Sequence, residues 1–296
     1  MALDDRLTLP QPLSDRLHGA YGELFACIER GYLAKRPVTL RVNRLKTTPE
    51  RVISELHAQG IGVQTVAWYE DALIAENVRE SALQSLPMYE RGEVYLQSLS
   101  SMLPPILLQP AAGENILDMT AAPGGKTTEL FALSGGKALI TACERDAVRF
   151  ERLRYNLSRQ GATRVNALKT DALALDDFLR FDKILLDAPC TGTGTVSADE
   201  GVRFSDGYLE KCVRLQRKLF EKAFRLLKKG GVLLYSTCSV LPEENGGILE
   251  TAQRLGATQL PVQLPSEIAL LPSPEGTACV CPSALYEGFF LSMFTK

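Results

Sequence analysis

Two short segments hold the residues best suited to covalent chemistry. LLDAPCTGTG (185–194) places Asp187 three residues before Cys190 in a Pro-Cys turn, and LLYSTCSVLPEEN (233–245) places Cys238 just past an apolar run. A lone cysteine is usually a small buried hydrophobe. Two that follow adjacent strands, at the same edge of a sheet, read instead as a reacting pair. The thiolate is the nucleophilic form of cysteine. Added to C6 of a pyrimidine, it turns the ring into an enamine and makes the otherwise unreactive C5 carbon nucleophilic. A carboxyl group such as Asp187, hydrogen-bonded to N3 and the exocyclic amine, would favour that addition. After methyl transfer to C5, a base removes the C5 proton and the thiolate leaves. The residue types alone do not rank Cys190 against Cys238.

A third segment, TAAPGGKT (120–127), matches the end of the phosphate-binding pattern G-x-x-x-x-G-K-[ST] but carries Thr120 where the first glycine belongs. Asp118 closes a strand, TAAPGG makes the turn and Lys126 begins a helix. Gly124 and Gly125 are expected to let the backbone approach a ligand, beside the free N–H groups of a helix start. Roughly 20 residues beyond the glycines, Glu144 ends the next strand, where an acid can accept both ribose hydroxyls. Asp171 follows the third strand, placed to read an adenine amine, and Asp187 ends the fourth. Acids at successive strand ends would repel a polyphosphate and disfavour a nucleotide triphosphatase. They suit a neutral-to-cationic adenosine cofactor, and S-adenosylmethionine (AdoMet) has the required sulfonium, amino-acid head and free ribose hydroxyls.

These residues need a scaffold that brings strand ends together. From Asn115 the runs ILDM, ALITAC, VNALK, KILLD and VLLYST alternate with helical segments, which predicts an α/β fold with an open, mostly parallel sheet covered on both faces. Ligands bind such sheets at the carboxyl ends of the strands. A long helix is expected from about Tyr208 to Lys228, closed by Lys228-Lys229-Gly230-Gly231. The earlier part differs. Residues 14–31 show helical periodicity, VTLRVNR (38–44) and VQTVAW read as strands around a helix begun by Thr48-Pro49, and Ala72–Ile74 is a possible third strand. This predicts a small N-terminal α+β subdomain, β-α-β and RRM-like, over residues 1–90, followed by a catalytic domain over 91–296.

Composition narrows the classes. The 296 residues are 45% hydrophobic and 23% charged, ordinary for a globular protein. The start, MALDDRLTLP, lacks the basic and apolar regions of a signal peptide, and no apolar run approaches the ~18 residues of a membrane span. A cytoplasmic monomer without membrane contact is expected. Seven scattered cysteines and two histidines support neither a disulfide framework nor a metal site. With 33 basic and 35 acidic residues, nucleic-acid binding requires a local patch. Two candidates are Lys35, Arg36, Arg41, Arg44 and Lys46, and the run from Lys211 to Lys229, which could equally be a solvated helix face.

TAAPGGKT, LLDAPCTGTG and YSTCS, in this order, resemble the RNA (cytosine-5)-methyltransferase family that includes the Fmu/Sun rRNA methylases and the NOL1/NOP2/Sun proteins. LRVNRLK (40–46), YLQSLSSM (95–102) and EGFF (287–290) extend the resemblance over residues 12–296. It implies a seven-stranded, Rossmann-like AdoMet methyltransferase sheet. AdoMet would be held by Thr120, Ala121, Ala122, Pro123, Gly124, Gly125 and Lys126, with Glu144, Arg149, Asp171 and Asp187. Cys238 would be the nucleophile, Asp187 its catalytic partner, and Cys190 would help release the product. The substrate implied is a cytidine in rRNA or tRNA, contacted partly through the N-terminal subdomain. The chain departs from the family pattern at Ser98, where an acid is usual, at Cys279, where an arginine is usual, and in TVSADEGVRF, which lacks an arginine pair. A non-catalytic RNA-binding or assembly factor on the same fold is the alternative, opposed by the intact Cys238, Cys190 and Asp187.

Overall fold

A computed structural model describes residues 9–197, 202 and 204–296. The periodic segment expected over 14–31 forms two helices, α1 (Gln11–Tyr21) and α2 (Phe25–Leu33), joined by a 3-10 turn at Gly22–Leu24. Gly22 has φ +53°, outside the right-handed helical region, and so breaks the helix. Both helices belong to the core of the large sheet: Leu17, Tyr21, Ile28 and Tyr32 pack in the same cluster as Val240, Leu241 and Cys279.

The first sheet is built from β1 (Val38–Val42), β2 (Val63–Val66), β3 (Tyr69–Ala75) and β4 (Val94–Leu96), in the order β2-β3-β1-β4. All its pairings are antiparallel. Strand β3 inserts between β1 and β2, so the expected β-α-β unit is a split one, the ferredoxin-like arrangement. Helix α3 (Pro49–Ala58) connects β1 to β2 and buries Val52 and Leu56 against Leu40, Val42 and Leu73. Two short helices, α4 (Glu80–Gln84) and α5 (Pro87–Glu90), lead into β4. Strand β4, only three residues long, pairs Leu96 with Leu40 and Val94 with Val42. The first sheet therefore continues past residue 90.

Helix α6 (Leu99–Leu108) crosses to the second sheet, formed by β5 (Asn115–Asp118), β6 (Leu139–Glu144), β7 (Asn166–Lys169), β8 (Phe181–Asp187), β9 (Leu227–Thr237), β10 (Thr258–Leu260), β11 (Leu270–Leu271), β12 (Ala278–Val280) and β13 (Phe289–Thr295). Its order is β11-β12-β13-β9-β8-β5-β6-β7, with β10 beside β13. Strands β5 to β9 pair in parallel and β13 runs antiparallel to β9. Ile116, Ile140, Leu185 and Leu234 pack in one core cluster, Leu117, Ile184, Leu186 and Leu233 in another, as expected of strands covered on both faces. Helices α7 (Gly125–Leu133), α8 (Ala147–Arg159), α9 (Asp206–Leu226), α10 (Pro242–Asn245) and α11 (Gly247–Arg254) follow strands of this sheet. Strand order reverses at β5, whose neighbours are β6 and β8, and this opens a crevice above their carboxyl ends.

The long helix differs from expectation at its end. It stops at Leu226, and Leu227 is already extended and paired with Phe181 of β8. Lys228–Gly231 thus lie in β9 and do not cap a helix; the Lys228 ammonium meets Asp182 at 2.8 Å. No described helix is long and apolar enough to cross a membrane.

Candidate active site

The acids at the strand ends have different tasks. Asp118 is 1% exposed; its carboxylate accepts the Thr127 hydroxyl at 2.7 Å and the Thr120 N–H at 3.4 Å. It shapes the turn from behind. Burial pushes its carboxyl up to about 6, against the Thr127 hydrogen bond. Asp187 is the acid set between loops: Oδ2 accepts from Lys126 Nζ and Oδ1 from the Ser236 hydroxyl, both at 2.8 Å, while its carbonyl accepts from Thr120 Oγ1. Two donors, one to each oxygen, fix the orientation of the Asp187 side chain.

Two cavities meet here. The smaller, about 260 Å³, has walls from Glu144, Arg149, Asp171 and Cys190. Glu144 accepts the Asp146 N–H at 2.8 Å, and Arg149 ties the loop to α8 through the Ala122 carbonyl at 2.8 Å. Asp171 caps the Leu173 N–H at 2.9 Å. The larger, about 530 Å³, opens between the two sheets and is bordered by Arg36, Tyr95, Ser98, Lys126, Glu287 and Phe289. Thr120, Ala122, Asp187 and Cys238 border both.

The expected cofactor loop is divided between the two cavities. Thr120 and Ala122 reach the smaller cavity, whereas Ala121, Pro123, Gly125 and Lys126 border the larger one. Lys126 thus sits across Asp187 from Glu144 and Asp171, with its ammonium 5.5 Å from the centre of the Phe289 ring. The glycines are also required for a different reason. A Cβ on Gly124, at φ +106°, would lie 3.0 Å from Leu153, and one on Gly125 would lie 3.1 Å from Tyr95. Protein packing from α8 and β4 takes that space.

The structure brings the two thiols together, with Sγ atoms 3.3 Å apart. Gly194 stitches their loops: its N–H donates to the Cys238 carbonyl at 2.9 Å, and its own carbonyl accepts the Gly288 N–H at 2.8 Å. The LLDAPCTGTG, YSTCS and EGFF segments are thereby fastened at one residue. Three supporting side chains were not singled out from sequence. Ser236 orients Asp187. Asn245 accepts from Thr237 Oγ1 at 2.7 Å and donates to the Ser239 carbonyl at 2.9 Å, fixing the turn around Cys238. Glu244 lies beneath the Cys190 turn. The available signal was LPEEN itself: a proline that starts a short helix, followed by polar residues, immediately after a cysteine turn.

The basic clusters are largely committed within the fold. Arg41 is 1% exposed and donates to Gln97 Oε1 and Thr128 Oγ1. Arg44 pairs with Glu70 and Asp71, and Lys46 donates to the carbonyls of Arg91 and Arg159. Lys35 is exposed and Arg36 borders the larger cavity. In the second run, Lys222, Arg225 and Lys228 meet Asp177 and Asp182, which leaves Lys211, Arg217, Lys218 and Lys229 on the surface. Of the departures, Ser98 donates to Glu287 Oε2 at 2.7 Å inside the larger cavity, and Cys279 is buried in β12. TVSADEGVRF falls in large part on residues 198–201 and 203, outside the described residues.

Comparison with known proteins agrees with this construction. Residues 105–295 match the family described as 16S rRNA methyltransferase RsmB/F, and residues 9–80 match its ferredoxin-like domain. The chain is 36% identical over 284 residues to ribosomal RNA small subunit methyltransferase F of Shewanella loihica, covering 90% of this chain and 58% of that protein. It is 35% identical over 249 residues to ribosomal RNA small subunit methyltransferase B of Sodalis glossinidius, covering 82% and 57%. The chain thus spans a little over half the length of these curated relatives. A solved methyltransferase homolog protein from Pyrococcus horikoshii superposes with a TM-score of 0.86 at 34% identity, covering 99% of this chain and 98% of that one. NSun6 from the same organism, solved with SFG, shares the fold at TM-score 0.87 and 24% identity, over 97% of this chain and 98% of that one. With the family match spanning more than half its length, the parallel sheet, ferredoxin-like unit and paired cysteine loops identify this chain as a member of the RsmB/F methyltransferase family.

Proposed function

We propose that this protein methylates C5 of a cytidine in RNA, using AdoMet and a covalent adduct between Cys238 and C6 of the base. The observation that carries the reading is the 3.3 Å contact of the Cys190 and Cys238 thiols, with Cys238 and Asp187 where the two cavities join. The names of the relatives favour small-subunit ribosomal RNA as the substrate.

The smaller cavity suits an adenosine cofactor. Glu144 and Asp171 are acceptors for ribose hydroxyls and an adenine amine, and Thr120 and Ala122 line its inner end. These carboxylates would repel a polyphosphate. When bound, AdoMet supplies an electrophilic methyl group.

The chain's own residues do the rest. The larger cavity receives a base turned out of its stack, an operation that costs a few kcal/mol in RNA and least in loops. Cys238 forms a bond from sulfur to C6, pushing charge toward N3 and C5. The Lys126–Asp187 pair meets the N3 edge: the carboxylate accepts from the exocyclic amine, and the ammonium stabilises charge at N3. Once C5 carries the methyl group, a base takes the C5 proton, the electrons of that bond return to the ring, and the C6–sulfur bond to Cys238 breaks. Cys190, in contact with Cys238, assists that release. Tyr95 and Phe289 flank the larger cavity and exclude water around the base.

Transfer of tritium from methyl-labelled AdoMet to RNA tests this. Incorporation at C5 of cytidine is expected, with small-subunit rRNA the best acceptor. Tight AdoMet binding with no incorporation into any RNA would leave a binding factor on the same fold.

A further inference from the structure

Two thiols 3.3 Å apart are chemically alike, so something else must make one the attacking sulfur. The surroundings of the pair are unequal. Beneath the Cys190 turn lies Glu244, 1% exposed. Its Oε1 accepts the Thr191 N–H at 2.9 Å and the Gln216 amide at 3.0 Å, and its Oε2 accepts the Thr191 hydroxyl at 2.5 Å. Gln216 also donates to the Pro189 carbonyl at 2.9 Å, so the residues on both sides of Cys190 are held through one carboxylate and its partner. Three neutral donors satisfy Glu244, and among the described residues no lysine, arginine or histidine pairs with it. The side chain is therefore held by neutral groups alone.

The titratable groups around Cys190 and Glu244 are Cys238 from the end of β9, Tyr235 within β9, and Tyr208 and Cys212 from α9. The Cys190 thiol is raised well above its ordinary value, first by the hydrogen bond with Cys238, then by burial and the charge of Cys238, then by Glu244. The other side of the pair is different. Lys126 shares the larger cavity with Cys238; burial opposes its charge, but Asp187, followed by Cys238 and Asp118, raises its proton affinity above the ordinary value.

We propose that Glu244 is a positioning residue that makes the two thiols unequal: it clamps the turn carrying Cys190 and sets a carboxylate on that side of the pair alone, leaving Cys238 as the sulfur that attacks. The proposal rests on the reading of Cys238 as the nucleophile, but its test needs neither RNA nor cofactor.

The test is alkylation of the full chain by iodoacetamide across pH 6.5–9.5. Each event forms a sulfur–carbon bond, expels iodide and releases the thiol proton to solvent. Initial rates at the Cys190 and Cys238 peptides are read by mass spectrometry, and the Cys190 series is repeated on Cys238→Ser so that its partner's reaction does not interfere. In the parent chain Cys238 reacts faster. Glu244→Gln, which keeps the shape and removes the carboxylate, should speed Cys190 about threefold or more at a given pH and displace its profile downward. Thr191→Val loosens the clamp but keeps the carboxylate and should leave the position of that profile unchanged. An unmoved Cys190 profile in Glu244→Gln, or one that moves equally in Thr191→Val, overturns the proposal. If Glu244→Gln does not fold, Glu244→Asp, which keeps the carboxylate, decides: a Cys190 profile at the parent position supports the proposal, and a lowered profile sinks it. Methyl transfer to RNA can fail independently of every one of these outcomes.

Discussion

Lys126 Nζ stands 2.8 Å from Asp187 Oδ2, while the Ser236 hydroxyl occupies the other carboxylate oxygen at the same distance. A residue from the first turn of α7 and one from β9 therefore fix the side chain at the end of β8. That places the ammonium in the larger cavity, which the proposed function assigns to the base.

Lys126→Met should consequently leave AdoMet affinity within about threefold of the parent while turnover falls roughly 100-fold, the loss of a charge-assisted contact of ~3 kcal/mol. Glu144→Gln should do the reverse, weakening AdoMet binding about tenfold, or ~1.4 kcal/mol. Calorimetric titration with AdoMet beside a methyl-transfer assay separates the two. Equal losses of AdoMet affinity in both variants would return Lys126 to the cofactor loop.

The cysteine roles predict opposite phenotypes. Cys238→Ala should abolish methyl transfer and give no stable complex with RNA, whereas Cys190→Ala should accumulate a covalent RNA adduct that survives denaturing gel electrophoresis. An adduct in Cys238→Ala and none in Cys190→Ala would exchange the two assignments.

The stitch at Gly194 admits no side chain. A Cβ there would lie 2.0 Å from the Gly288 carbonyl oxygen, a backbone atom that cannot swing aside. Gly194→Ala should destabilise the fold by about 1–3 kcal/mol and, by displacing the Cys238 carbonyl, slow transfer more than it weakens AdoMet binding. Thermal unfolding and single-turnover rates provide the check; an alanine variant with parent stability and rate would show that the loops tolerate separation.

A pH effect follows from the contact of the two domains. Glu129 on α7 accepts from Gln97 Nε2 at 2.7 Å with Oε2, stands 3.7 Å from Arg41 Nε, and has Oε1 buried without a partner. Burial pushes its carboxyl from the ordinary 4.5 up to about 8, more than the Arg41 charge offsets. Between those values the unfolded chain has released a proton that the folded chain retains, so this group lowers stability as pH rises from about 4.5 to 8. Glu129→Gln should remove that slope and gain stability on the parent with increasing pH. Urea midpoints at pH 6 and 8.5 are the measurement, and parallel slopes in both proteins would contradict it.

The features legible in the sequence share a cause. Asp187, Cys190 and Cys238 lie where an apolar run gives way to a turn, and in a parallel sheet such turns gather at one edge, so local pattern alone predicted that they meet. The glycine loop was legible for the same reason. What the pattern could not carry was the side of Asp187 to which Lys126 turns, because that depends on Phe289 of β13. Nor could it show that Arg41 is bound to an interior amide and Lys46 to two backbone carbonyls, since their partners lie tens of residues away. The three residues of β4 are too few to show a period, and Gly22 breaks a helix whose apolar spacing runs through it unbroken.

Strand β13 sits inside the large sheet, between β9 and β12, and Phe290 pairs with Thr237 next to Cys238. During synthesis, both cysteines and all five parallel strands are translated before this strand exists. Until Phe289–Thr295 has been made, β9 is an exposed edge of Leu233, Leu234 and Tyr235 with unpaired backbone groups, a template for pairing with other chains. The nascent protein is therefore most prone to aggregate in the interval after its chemistry has been translated and before it can be assembled.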